Sequence, residues 1–171
     1  MEFETRMDVK VDEYVEMIRL KTSVLLAAAL KIGAYLADAP AEDAEKLYEF
    51  GVKMGLAFQL QDDWLDVYGD PKVFGKNIGG DILCNKKTFM LITALEEANE
   101  EQRAALEGWL AAREYVPAEK IAAVTALYNE IGVGKRCQEM AEALNAEGFA
   151  VLDSINLPEE RKAALKEYAC S

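Results

Sequence analysis

Between Phe58 and Thr88 the chain gathers the side chains best suited to handling charge, FQLQDDWLDVYGDPKVFGKNIGGDILCNKKT. Asp62, Asp63 and Asp66 stand in an otherwise apolar run of helical character. On a helix, residues i and i+4 share a face and i+1 lies about 100° round. Asp62 and Asp66 therefore point the same way, with Asp63 beside them and Gln59 one turn earlier. Past the turn signal Tyr68-Gly69-Asp70-Pro71 come Lys76, Asp81, Lys86, Lys87 and Thr88, spaced by glycines. Carboxylates hold hard divalent cations, and a cation with lysines holds phosphate oxygens. An acidic triplet is also what a solvated helix face looks like, because water and salt screen its repulsion. Two features favour a site. Phe58, Leu60, Trp64, Leu65 and Val67 leave little room for a broad solvent face. The lysines lie in glycine-broken chain, where backbone can approach a ligand closely.

The elements that position this stretch read as helix after helix. Apolar residues at Val11, Tyr14, Val15, Ile18, Leu25 and Ala28 predict a helix from about Val11 to Ala37, stopped by Asp38-Ala39-Pro40. Lys21 and Thr22 fall inside it, and on spacing alone they read as a snorkelling lysine and a back-bonded threonine. A second helix runs from about Ala41 to Val67 and carries the aspartates. Its small residues Ala44, Gly51 and Gly55 suit close approach of a neighbour. Gly69 to Lys86 is expected to be a ligand loop. It is not a nucleotide P-loop, since Gly75-Lys76 lacks the earlier glycine and the preceding strand. Lys87–Ala98 and Glu101–Arg113 read as an antiparallel pair, and Pro117 opens a helix to about Ile131. Gly132-Val133-Gly134 interrupts the pattern before a helix to about Asp153, and Leu157-Pro158-Glu159-Glu160 opens the last one. Trp109, Tyr115, Tyr128 and Phe149 are expected in the core. The fold class is all-α, one domain over residues 1–171, long enough to bury its own core.

Composition excludes several functions. A net charge of −12 argues against nucleic acid as a partner. The chain holds no histidine, which removes His-based triads and His metal ligands. No run of eighteen apolar residues occurs, so no membrane span is expected. Cys84, Cys137 and Cys170 match neither a disulfide nor a zinc pattern and read as free thiols of a cytoplasmic protein.

Taken together, Phe58-Gln59, Asp62-Asp63-Asp66, Gly75-Lys76-Gly79-Asp81 and Lys86-Thr88, with Lys21-Thr22 upstream, resemble the second aspartate-rich region of the trans-isoprenyl diphosphate synthases, the polyprenyl synthase family. The resemblance implies a helical bundle, the C-terminal half of an isoprenoid-synthase-like fold. The family's first aspartate-rich motif, its trailing arginines and its Gly-Lys-Arg region belong upstream of Lys21-Thr22, and this sequence contains none of them. The expectation is a fragment or a naturally short relative with little activity alone.

In a complete enzyme of this kind, an allylic diphosphate condenses head to tail with isopentenyl diphosphate. The resemblance implies Mg2+ held by Asp62, Asp63 and Asp66, and diphosphate oxygens met by Lys21, Lys76 and Lys86. Thr22 and Gln59 would face the carbocation with oxygen dipoles, and Phe58 would line the substrate pocket. Lys21, Thr22, Gln59 and Lys76 are thus the catalytic candidates, with Asp81 orienting Lys76. No serine, cysteine or histidine that could trap a cation occurs from Phe58 to Asp66. The family's habit also implies a homo-oligomer, a dimer being the expected form. Two rivals stand beside this reading. A terpene cyclase-like protein would share the ionisation chemistry, but not the Lys76-to-Thr88 pattern. A non-catalytic helical partner or regulatory subunit would keep the fold without needing the aspartates.

Overall fold

The computed structural model describes residues 6–74 and 78–170, and every regular element among them is helical. The long helix expected over residues 11–37 is built in three parts: α1 (Val11–Ile18), a π-helical turn (Arg19–Ser23) and α2 (Val24–Leu36). In the π turn the Val24 N–H reaches back to the Arg19 carbonyl. That is one residue further than an α-helical bond, so one extra residue is accommodated and the side chains beyond are rotated. Lys21 and Thr22 sit on this turn. After α2 the chain leaves through Asp38, held at φ 54°, before Pro40.

Then follow α3 (Ala41–Tyr68), α4 (Pro71–Phe74) and α5 (Gly80–Leu83), the last two short helices within the stretch expected to be loop. Next are α6 (Phe89–Glu97) and α7 (Glu100–Ala111), the latter started by a reciprocal Asn99–Gln102 capping box. The chain closes with α8 (Pro117–Ile131), α9 (Val133–Asp153) and α10 (Glu159–Cys170). Gly132, at φ 84°, ends α8 in the left-handed conformation that glycine adopts without penalty.

The helices gather into two compact units, one of Met1–Tyr14 with Leu60–Glu139, the other of Val15–Gln59 with Met140–Ser171. In the second unit Phe50, Leu47, Met54, Ala34, Ala44, Leu152 and Ile155 form the buried core. Gly55 brings α3 against the π turn: a Cβ there would lie 2.7 Å from Ser23 Oγ and 2.9 Å from Ser23 Cα. Gly51 meets Ala27 in the same way one turn earlier.

In the first unit, α8 packs on α5, α6 and α7 and turns Lys120, Val124 and Tyr128 inward. Of the four aromatics expected in the core, Tyr128 is buried, while Trp109, Tyr115 and Phe149 are half-buried. Phe149 belongs to the second unit, where it packs on the edge of the core with its ring centroid 6.4 Å from that of Phe50.

Helix α6 is buried from Phe89 to Leu95, with only its last two residues, Glu96 and Glu97, exposed. An apolar all-round helix belongs in a core, but its first amides have no partner within the helix. Asp63, fully buried on α3, supplies one: its Oδ2 accepts the Phe89 N–H at 2.9 Å and also the Tyr14 hydroxyl. Thr88 Oγ1 accepts the Leu91 N–H at 3.3 Å. Burial, then the charge of Asp63, pushes the Tyr14 phenol far above its ordinary value, so it stays protonated and donates. Asp63→Ala is expected to lower the unfolding free energy by about 2–4 kcal/mol, since it strands two buried donors. Asp62→Ala, at an exposed position, should change it by less than about 0.5 kcal/mol. Urea unfolding of both variants is the check, and equal losses would show that Asp63 is not the support.

Candidate functional site

In the first unit, α3 presents Asp62 exposed and Asp66 half-buried. Asp66 clasps the returning chain twice. Its carbonyl accepts the Gly79 N–H at 2.7 Å, and its Oδ2 accepts the Asp81 N–H at 2.9 Å. Gly79 makes this return possible. It stands at φ 83°, and a Cβ there would lie 2.8 Å from the Ile121 side chain. Asp81 in turn pairs with Lys86, Nζ to Oδ2 at 3.3 Å.

The electrostatics follow from this crowding. Desolvation pushes the Asp66 carboxyl above the ordinary range and the charges of Asp81 and Asp62 add to the rise, against the Asp81 N–H and Lys86. Burial opposes the charge on Lys86, but Asp81 beside it, with Asp63 and Asp62, outweighs that and holds it above its usual value. The result is a partly desolvated acidic group with one firmly charged lysine at its edge. Such a place suits a divalent cation and a phosphate-bearing ligand together.

Asp63, grouped with Asp62 and Asp66 by spacing, does not fit the part of a metal ligand. Its Oδ2 is taken by Tyr14 and Phe89, and it lies 0% exposed. Among the described residues no three acidic or thiol side chains converge as a ready cation cage. Magnesium does not need one, since it keeps several waters and is commonly held by one or two carboxylates plus substrate phosphates. Asp62 and Asp66 fit that description. Asp81 faces Lys86 rather than forming a third arm. Lys76, and with it the expected Asp81–Lys76 pairing, lies outside the described residues. Lys87 donates to the Arg6 carbonyl, a structural use.

The second unit carries the other candidates. Lys21 and Thr22 are exposed on the π turn, Phe58 is exposed on α3, and Gln59 is half-buried. Gly51, Gly55 and Gln59 recur every four residues, so Gln59 lies on the face of α3 that meets the π turn. Its amide and the Lys21–Thr22 pair thus belong to facing elements. Sequence reasoning missed Tyr14, taken as one more apolar position, and Lys120, a buried lysine that nothing in the local pattern distinguishes from a surface one. The free thiols divide as well. Cys84 is exposed, whereas burial, with the charge of Asp63, pushes Cys137 up to about 12, leaving it inert.

Comparison with known proteins fits this layout. Residues 1–131 match the family model described as polyprenyl synthetase. The chain is 35% identical over 172 residues to a (2E,6E)-farnesyl diphosphate synthase of Mycobacterium bovis, covering 98% of this chain and 47% of that one. A solved geranylgeranyl pyrophosphate synthase superposes with a TM-score of 0.89 at 36% identity, over 98% of this chain and 52% of the other. A geranylgeranyl pyrophosphate synthase from Corynebacterium glutamicum, complexed with isoprenyl diphosphate and magnesium, gives 0.83 at 31% identity, over 94% of this chain and 45% of that one. The chain spans about half the length of these relatives. With the helical architecture and the aspartate–lysine stretch both in place, the matched residues show that the chain belongs to the polyprenyl synthetase family.

Proposed function

We propose that this chain supplies half of a prenyltransferase site, in which an allylic diphosphate condenses with isopentenyl diphosphate in isoprenoid biosynthesis, and that its metal is magnesium. The observation that carries this reading is the Asp62–Asp66 pair on α3 beside the Asp81–Lys86 ion pair, clasped together by the two hydrogen bonds that Asp66 accepts from the Gly79 and Asp81 N–H groups. The Corynebacterium glutamicum relative, with magnesium and isoprenyl diphosphate bound, supports it.

The division of labour follows from the charges that the reaction develops. Departure of pyrophosphate builds negative charge on its oxygens and positive charge on an allylic carbon. Lys86, held charged by Asp81, meets the first, and Lys21 and Lys76 take the same part. Magnesium held by Asp62 and Asp66 would supply Lewis-acid charge to the same oxygens. The Thr22 hydroxyl and Gln59 amide offer neutral oxygen dipoles to the second charge, and Phe58 gives the hydrocarbon an apolar wall. Such a protein would work in the cytoplasm, where thiols such as Cys84 stay reduced. Among the described residues no helix is long and apolar enough to cross a membrane.

The second unit also supports self-association. Leu25 and Leu36 on α2 are 76% and 83% exposed, with Leu20, Ile32, Tyr35 and Phe58 also open. Leu25, Ile32 and Leu36 recur at helical spacing and so share one face of α2, and an apolar face left this open is uncommon on soluble monomers. We read the faces of residues 11–37 and 41–67 as the contact of a homo-oligomer, a dimer in the family's manner.

Three measurements test this reading. Magnesium with pyrophosphate should raise the melting temperature more than either alone. An Asp62→Ala, Asp66→Ala double variant should lose that response, and an equal response in both proteins would remove the aspartates from the site. The purified 171-residue chain should show little or no prenyl transfer, because it carries one of the family's two aspartate-rich regions, and substantial turnover would overturn the half-site reading. Light scattering at micromolar concentration should give a mass above 19 kDa, whereas a clean monomer would remove the apolar faces as a contact.

A further inference from the structure

Lys120 lies in the second turn of α8 and is 1% exposed. Its Nζ donates to Asn85 Oδ1 at 2.6 Å and sits 4.4 Å from the centroid of the Tyr115 ring. Among the described residues its partners are thus an amide oxygen and an aromatic face rather than a carboxylate. A buried ammonium held this way is costly, and desolvation pulls its pKa down. Methionine would fill the same space more cheaply. The charge therefore calls for a local reason, and Asn85 offers one.

Asn85 stands at φ 53°, in the left-handed region that asparagine tolerates better than most residues but does not prefer. Its amide is gripped at both ends: Oδ1 accepts from Lys120, and Nδ2 donates to the Leu110 carbonyl at 3.0 Å. The Tyr115 hydroxyl donates to the Leu83 carbonyl at 3.3 Å. The C-terminal end of α5 is therefore held from α7, from α8 and from the connection between them. The next residue in the chain is Lys86. Its N–H bonds the Asp81 carbonyl at 2.9 Å, and its ammonium pairs with the Asp81 side chain. Lys120, Asn85, Asp81, Lys86 and Thr88 also line a cavity of about 10 Å³, room for a single water.

We propose that Lys120 is a positioning residue for Lys86, its buried ammonium fixing the Asn85 side chain and with it the left-handed turn from which Lys86 reaches a diphosphate. The part about diphosphate rests on the proposed function, whereas the part about the turn does not. Two readouts on the 171-residue chain keep them apart. In Lys120→Met, the backbone coupling and Cα shift of Asn85 should lose their left-handed signature, and the Lys86 amide resonance should move. Affinity for pyrophosphate with magnesium should fall about tenfold, as for other residues that orient a ligand-binding group. Leu152→Val, a core change in the second unit, should lower the melting temperature while leaving both readouts in place.

Should Lys120→Met fail to fold, Asn85→Gly keeps the left-handed backbone accessible while removing the lysine's grip. It should displace the Lys86 amide and weaken pyrophosphate binding in the same way. If neither variant moves the Lys86 resonance, the proposal is overturned, whatever the affinity. If wild-type chain binds no pyrophosphate while the Asn85 and Lys86 signals still move in Lys120→Met, the positioning role stands and the diphosphate reading fails.

Discussion

The first unit depends on a single buried carboxylate. Helix α6 is apolar on every side from Phe89 to Leu95, so it is enclosed, and its leading amides are cut off from water. Asp63 meets that need by accepting from the Phe89 N–H and the Tyr14 hydroxyl through one oxygen. A negative group at a helix N-terminus is also favoured by the helix dipole, more so where water is excluded. The same bonds fix the rotation of α3. With Asp63 turned inward, Asp62 lies about 100° to one side and Asp66 about 60° to the same side, given 100° per residue. One aspartate is thus used to aim the other two.

That aim determines what the following chain can do. Asp66 faces the segment returning after α4 and catches it at Gly79 and Asp81, which sets Asp81 where it can hold Lys86. Each step needs the one before it. A side chain at position 79 would press on Ile121 and strain the left-handed backbone from which the Gly79 N–H reaches Asp66. The acidic crowd around Asp66 is tolerated because Lys86 and the Asp81 amide offset part of it. What remains uncompensated is the property that a bound cation would relieve.

Most of the helices were legible in the sequence because amphipathic spacing, prolines and glycines report local requirements. Pro117 and Gly132 mark α8 at both ends. The task of Asp63 was not legible. Spacing places three carboxylates round a helix but cannot tell which of them faces a neighbour that has unpaired amides. Lys120 was hidden for a related reason. Its partner Asn85 is 35 residues away, and a lysine three residues after a helix start reads as solvent-facing. The π turn escaped because the pattern on either side of it is helical, and the cause lies in α3. Gly51 and Gly55 let two helices approach until Ala27 and Ser23 touch their backbone, a contact that no single-helix pattern encodes.

The π turn also bears on the chemistry. An inserted residue rotates everything after it by about 100° relative to a regular helix. Lys21 and Thr22 therefore do not continue the stripe set by Tyr14 and Ile18, which is buried. They are turned out of that packing and left exposed. A regular helix would have to choose between burying Tyr14 and Ile18 and presenting Lys21 and Thr22. The bulge removes the choice at the cost of poorer helical hydrogen bonding, and the Ser23–Gly55 contact leaves no room for the turn to shift toward α3. On the proposed reading, this frees a lysine and a neutral hydroxyl to face substrate from a rigid element rather than from a loop, where geometry for a short-lived cation is harder to hold.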